Sequence, residues 1–437
     1  MSNNFVDLNI KNLIVNHFES VVNEIDLATE LEILKDENNE YELNQNRAFM
    51  IDHKNVLINL VLQNIDSKSS NYLEINRNFL HEVTLIDFSN RKLDKICVNI
   101  FDLYRNKVKY LDLSNNYIQN LNLRLCFTLG NLEELNLGNN RLNNLYLNHN
   151  FQNLKDLILS NNNLEILSSQ IFSNLFNLTE LDLSDNKICV IENEVFIHLF
   201  ELRFLYLSNN QIHSIDFNLN KCSKLEQLHL NSNKIKSIKP EVFKFQKKLQ
   251  ILNIANNLIE KVEPEILIGL ENLKYLNLRQ NLIKVLNFSD LKFLINLKEL
   301  NLFSNQIKSI QNLNYLKCLS NLDTLILSEN LIEIFGISQS SSLKTLSLSN
   351  NYLTHLNSFL MENLENLYLR KNRIESLDNG IFRRCENLKV LDLSDNRIKS
   401  IEDYVLNELV GLQELDISNN LFKADKFDLN SQLKFIY

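Results

Sequence analysis

The sequence predicts an α/β solenoid, a curved horseshoe of stacked coils with a parallel β-sheet on its concave face and a partly helical N-terminal cap. Three observations carry that prediction. An apolar motif returns fifteen times through the 437 residues, asparagine holds one fixed place in fourteen of those returns, and only six glycines and two prolines occur. A period of this size marks repeated supersecondary units rather than ordinary domains. So little glycine and proline removes collagen-like, linker-like and proline-rich readings, and glycine-built phosphate loops with them.

Each return opens on an apolar residue: Val83, Val108, Leu132, Leu154, Leu178, Leu202, Leu225, Leu249, Leu273, Leu297, Leu322, Leu343, Leu364, Leu388 and Leu412. These leads lie 21 to 25 residues apart, most often 24. The fourth and sixth positions are again apolar, as in Leu111 and Leu113, Leu181 and Leu183, or Leu391 and Leu393. That alternation belongs to a short strand that points those two residues inward and the residue between them outward. One coil cannot bury its leucines alone, so each must stack on the next, with strands about 4.8 Å apart.

The ninth position holds Asn116, Asn140, Asn162, Asn186, Asn210, Asn233, Asn257, Asn281, Asn305, Asn330, Asn351, Asn372, Asn396 and Asn420, with Arg91 in the first unit. The chain turns away from the strand there and leaves buried backbone groups that a carboxamide can satisfy. These asparagines are therefore expected to form a structural ladder rather than a ligand site.

With this LxxLxLxxNxL pattern, residues 83–422 resemble a leucine-rich repeat array. Phe101, Phe172, Phe196, Phe243 and Phe382 stand eighteen residues after a lead, where Cys126, Leu267, Leu291 and Leu406 stand in other units. Together with the usual step of 24, this resembles the typical class of Toll-like and Slit-like ectodomains. The resemblance implies a return through loops and short helical turns on the convex side. In extracellular members the last asparagine opens a cysteine-stapled cap similar to NPFxCDC. Here the run is Asn420-Leu421-Phe422-Lys423-Ala424-Asp425-Lys426, with Ala424 and Lys426 at the cysteine positions. An array of this type without disulfide caps suits a reducing compartment.

Much Asn, Lys, Ile, Phe and Tyr also makes the chain look similar to the leucine-rich repeat gene family of insect poxviruses. That likeness implies a viral protein.

Residues 1–82 break the repeat. Phe5, Leu8, Ile14, Phe18, Val21, Val22 and Ile25 recur at helical spacing, and Val56–Leu62 reads as a degenerate strand that starts the stack. The segment is expected to cap the first coil, with 423–437 as a short C-terminal cap. F-box proteins often carry such repeats, so an adaptor module for a ubiquitin ligase is the alternative, although no LP motif of that family stands in 1–82.

Forty-five basic against 54 acidic residues leave a net charge of -9, which argues against a nucleic-acid partner. No membrane span or signal peptide is legible, so a cytoplasmic protein is expected, with secretion as the alternative. Nothing in the sequence speaks to oligomeric state. Cys97, Cys126, Cys189, Cys222, Cys318 and Cys385 form no CxxC pair, and the eight histidines form no ligand spacing. No metal, cofactor or catalytic constellation emerges, and the chain is not expected to be an enzyme. The sequons at Asn177 and Asn287 are expected by accident in so asparagine-rich a chain.

Surface then remains as the functional feature. Outward positions of the early coils hold Asp112, Glu134, Asp156, Glu180, Asp182 and Asp185, an acidic stretch. Later coils hold Phe204, Tyr206, His229, Ile251, Tyr275, Phe303 and Ile326, with Leu258, Leu282 and Leu331 along the neighbouring edge and Glu299 and Arg279 at the rim. Apolar and aromatic groups so placed mark a partner site. The expected function is a non-catalytic protein-protein interaction scaffold that binds a protein ligand on its concave face. The resemblance to Toll-like ectodomains implies, as a further alternative, a secreted or surface recognition or adhesion protein in innate immunity.

Overall fold

A computed structural model describes residues 47–51, 57–61, 84–94, 107–120, 129–145, 151–336, 338–401, 404–421 and 434–436. They fall into two compact units, Met1–Ile188 and Cys189–Tyr437.

In the first unit, five strands pair in parallel and in register: Leu85–Asp87, Tyr110–Asp112, Glu134–Asn136, Asp156–Ile158 and Glu180–Asp182. Each begins two residues after a lead residue, and its middle residue is buried. In the second unit, ten such strands run in parallel register from Phe204–Tyr206 to Glu414–Asp416, and Lys434–Ile436 adds to the last. The inward leucines form the core of both units, and burying each side chain contributes roughly 1.5–3 kcal/mol.

The turn after each strand explains how the chain dispenses with glycine. The eighth residue of every coil, from Asn90 to Asn419, is left-handed, with φ between 51° and 59°. Asn and Asp tolerate this region best among residues with a side chain, and they fill most of these places. Ser232, Gln280, Ser304, Glu329 and Lys371 adopt it at a cost.

The ninth residue pins neighbouring coils together. Asn257 donates through Nδ2 to the carbonyls of Leu230, Ile254 and Ala255 at 3.0, 3.1 and 3.0 Å, and its Oδ1 accepts from the Ile235 N–H at 2.9 Å. Asn140, Asn305 and Asn396 make the same set of contacts. Each amide thus satisfies carbonyls of its own coil and of the one before, together with an N–H that the turn leaves unpaired.

The return legs correct the α/β expectation. Among the described residues there is no α-helix; the legs use 3-10 turns at Pro264–Leu267, Phe288–Leu291, Leu313–Cys318 and Leu406–Glu408, and short strand pairs such as Ser214–Ile215 with Ser237–Ile238. The array is a β-solenoid. An α-helical nucleus fixes several residues for its first hydrogen bond, and a short leg anchored by apolar side chains every few residues gives it no room to propagate.

Phe172, Phe196, Phe243 and Phe382 are buried, as are Leu267 and Leu291; Phe101 and Cys126 lie outside the described residues. The sequence pattern missed Phe217, Phe288, Phe335 and Phe359, which are equally buried. Phe359 stacks between Phe335 and Phe382 with ring centroids 6.1 Å away on either side. Cys222 and Cys385 fill the same core, and burial pushes both thiols up to about 12.

The helical stretch expected between Phe5 and Ile25 lies outside the described residues. Near Val56–Leu62 a strand forms at Leu57–Val61, but it does not start the parallel stack. It pairs antiparallel with Arg47–Ile51, which pairs antiparallel with Leu85–Asp87. The connection from Ile51 to Leu57 is far too short for a parallel crossover, which needs about a dozen residues or more.

Candidate interaction surface

The stacked strands from Leu85–Asp87 to Glu414–Asp416 turn their first and third residues outward. In nine coils the third is Asp or Asn, and its Oδ1 accepts the N–H two residues on: Asp87, Asp112, Asn136, Asp182, Asn253, Asn277, Asn301, Asp392 and Asp416. Such a turn locks the strand exit. Part of the acidic character of Asp112 and Asp182 is therefore structural.

In the first unit, Glu134, Asp156 and Glu180 stand directly opposite one another across adjacent strands. Partial burial, and then the charge of Asp156, hold both glutamates above the usual carboxylate range, with Asp112 adding to Glu134 and Asp182 to Glu180. Asp156 accepts from the Thr179 hydroxyl at 3.0 Å. The bases nearby are engaged elsewhere: Lys109 and Lys155 both bind Glu133. Asp185 lies exposed at the left-handed turn position rather than in this file.

In the second unit, Tyr206 and His229 occupy the third position on adjacent strands, in place of the turn-forming Asp or Asn. Their rings stack with centroids 5.1 Å apart, and His229 Nε2 lies 3.3 Å from Gln227 Oε1. Burial lowers the imidazole below the usual histidine range. Phe204, Ile251 and Tyr275 share the first outward position, with Gln227 between Phe204 and Ile251. Tyr275 is exposed, and the other four apolar or aromatic groups are half-buried. The Arg203 guanidinium lies over Phe204 at 5.1 Å while it pairs with Glu226 at 2.9 Å.

These five residues form one group; the remaining two expected members stand apart from it. Phe303 sits at the strand exit with Arg279 over its ring at 4.6 Å. Ile326 is separated from His229 by the file Asn253, Asn277 and Asn301. Leu258, Leu282 and Leu331 are half-buried. Glu299 is half-buried too, and burial followed by Asp323 raises its carboxyl.

Sequence reading passed over the third-position amides because Asn is common everywhere in the chain. It also missed a second ladder at the strand entry, where Asn153, Asn272, Asn296 and Asn387 each donate to a carbonyl of the preceding coil at 2.8 to 3.0 Å. Among the described residues no cluster of His, Cys, Asp and Glu could hold a metal, and no helix is long and apolar enough to cross a membrane.

Parallel coils tied by inward leucines and a buried amide ladder define a solenoid repeat scaffold. Residues 152–212, 223–283, 247–307 and 362–422 match the leucine rich repeat family, as do 201–242 for paired repeats and 342–362 for a single repeat. The chain belongs to the leucine-rich repeat family, with repeats of about 24 residues. No curated protein matches it in sequence.

Among solved structures it is similar to a leucine-rich repeat protein of Leptospira interrogans, at 28% identity and a TM-score of 0.70, covering 83% of this chain and 97% of that one. It is also similar to a chain of the Toll–Spatzle complex of Drosophila, at 25% identity and a TM-score of 0.66, over 75% of this chain and 46% of that chain. The ectodomain of the Arabidopsis thaliana receptor kinase GASSHO1/SCHENGEN3 shares the fold at 24% identity and a TM-score of 0.61, over 80% and 43% of the two chains. The chain thus spans less than half of these last two chains. Its fold is typical of interaction scaffolds and receptors.

Proposed function

We propose that the protein is a non-catalytic scaffold that captures a protein ligand on the outward face of its second-unit sheet, around Phe204, Tyr206, His229, Ile251 and Tyr275. The observation that carries this reading is the Tyr206–His229 stack at positions where nine other coils keep a turn-locking Asp or Asn. Giving up that hydrogen bond costs about 0.5–1.5 kcal/mol per coil, which the ring stack offsets in part. Half-buried aromatic groups on a rigid sheet are the usual anchors of a binding hot spot. The acidic file Asp112, Glu134, Asp156, Glu180 and Asp182 serves to steer basic surfaces and to reject acidic ones.

The test is affinity capture with the wild-type chain and with a Tyr206→Ala/Tyr275→Ala double variant that keeps its thermal melt. Loss of the captured protein is expected; undiminished capture would move the site off this face.

A second reading, an extracellular recognition protein, is favoured by the similarity to the Toll–Spatzle chain. Its mark would be glycan on the sequons. Both sequon amides are engaged, Asn177 Nδ2 with the Gln152 carbonyl at 2.7 Å and Asn287 Nδ2 with Asp290 at 3.0 Å. Fractionation of intact cells with a glycosidase shift assay decides between the two. The insect-poxvirus origin rests on composition, and the caps at 1–82 and 423–437 remain part of the same proposal.

A further inference from the structure

Across the four strands that begin at Phe204, Gln227, Ile251 and Tyr275, the outward positions carry one permanent charge, the Arg279 guanidinium just past the last strand. Arg203, Arg279 and Arg370 stand beside the outward strand positions of this unit. Arg203 pairs with Glu226 and Arg370 with Asp395, each at 2.9 Å. Arg279 differs: among the described residues no carboxylate lies within ion-pair distance of it. Its guanidinium rests over the Phe303 ring at 4.6 Å, which holds the planar fork in place and leaves its edge donors facing outward.

Two amides extend this edge. Asn277 Oδ1 accepts from the Arg279 N–H, and Asn301 Oδ1 from the Phe303 N–H, both at 3.1 Å. With the oxygens committed, each side chain offers its Nδ2, for which no acceptor lies within hydrogen-bond distance among the described residues. The equivalent Asn253 is different, since its Nδ2 donates to Asn231 at 3.1 Å. The edge formed by Asn277, Asn301 and Arg279 is therefore rich in donors, and it borders an uncharged aromatic face.

We infer that this edge receives an extended, otherwise uncharged segment of a partner protein. Main-chain carbonyls of the segment accept from Asn277 and Asn301, one acidic side chain pairs with Arg279, and apolar side chains lie on Tyr206, His229, Ile251 and Tyr275. The inference rests on the reading of this face as the partner surface and adds the chemistry of the partner. A basic segment fits poorly, because Arg203 and Arg279 already cover the rings of Phe204 and Phe303. A polyanion fits poorly as well, since one guanidinium cannot neutralise a row of phosphates. Six more strands carry the sheet past Tyr275–Asn277, from Glu299–Asn301 to Glu414–Asp416. The carboxylate of the inference is that of a side chain, and selection with internal and with free-ended segments tests that choice. The span from the Tyr206 strand to the Tyr275 strand is three strand spacings, roughly 14 Å, or about four extended residues.

The experiment is selection of a random peptide library, displayed as an internal segment, on the full chain and on the Arg279→Gln variant. Enriched windows are expected to be apolar and aromatic with one Asp or Glu. A synthetic peptide with both ends blocked should lose at least about tenfold in affinity on Arg279→Gln. Arg279→Glu should recover binding when the acidic residue of the peptide is changed to Lys. Enrichment of basic windows, enrichment only with a free C-terminus, or no enrichment above the Arg279→Gln chain would overturn the inference. Peptides indifferent to Arg279→Gln but lost on Tyr206→Ala would remove it and leave the face standing; indifference to both would remove both.

Discussion

At the first outward position of successive strands, the unit Met1–Ile188 places Glu134, Asp156 and Glu180, whereas the unit Cys189–Tyr437 places Phe204, Gln227, Ile251 and Tyr275. Behind these residues the two units are alike. Leu135, Leu157 and Leu181 in one and Leu205, Leu228 and Leu252 in the other are buried at the same point of the strand. The inward side chains answer to the coil, and the outward ones are free of that demand. Each unit nonetheless concedes stability at its face, the first through like charges set opposite one another, the second through turn-forming residues replaced by aromatic rings.

The largest effects should come from the shared frame. Leu157→Ala in the first unit and Leu252→Ala in the second should each cost about 2–5 kcal/mol, read by hydrogen exchange in the unit concerned. A much smaller loss in either would break the equivalence of the two frames. Asn257→Ala should cost about 1–3 kcal/mol by leaving buried carbonyls unpaired, with a lowered melting temperature; an unchanged melt would contradict the ladder.

Next come effects of pH, which should run in opposite directions for the Glu134–Glu180 file and for His229. Raised carboxyls such as Glu134 and Glu180 bind protons more readily in the folded state. Their contribution to stability is present below the ordinary carboxylate range and is lost as pH rises through their folded values. His229 is depressed by burial, so its contribution is present above the ordinary histidine range and is lost as pH falls through its folded value. Glu134→Gln with Glu180→Gln should raise the melting temperature at pH 7 and leave it nearly unchanged near pH 4, about where glutamates are protonated. His229→Gln should flatten the acid side of the second unit, as seen in residue-resolved exchange at several pH values. A same-signed pH response at the acidic file and at His229 would undo the contrast.

The smallest expected effect is at the turns. Glu329 holds φ at 56°, and Glu329→Gly should gain about 0.5–1 kcal/mol by relieving the left-handed strain. The midpoint of denaturant unfolding measures it.

The strands were legible in the sequence almost residue by residue, because an inward Leu at a fixed offset from each lead leaves one register. The return legs were less so. Phe217, Phe288, Phe335 and Phe359 reach the core from offsets that vary with coil length, so no single spacing could find them. Helical spacing in 1–82 spoke for a cap, yet the described part of that segment is a pair of antiparallel strands. The surface was legible as a set of residue types and not as a contiguous area. Nothing in the chain spelled out that Phe303 falls at a strand exit under Arg279 or that three amides divide Ile326 from His229. The donor edge of Asn277 and Asn301 was hidden because the same residue type locks turns elsewhere.

One comparison of binding reaches the centre of this account. A captured partner is titrated against a Tyr206→Ala/His229→Ala variant and, in parallel, a Glu134→Gln/Glu180→Gln variant, both checked for an intact melt. The aromatic pair should abolish binding, while the acidic pair should slow association and weaken its dependence on salt. Full affinity in the aromatic variant, with binding lost in the acidic one, would place the partner on the other unit and contradict the account.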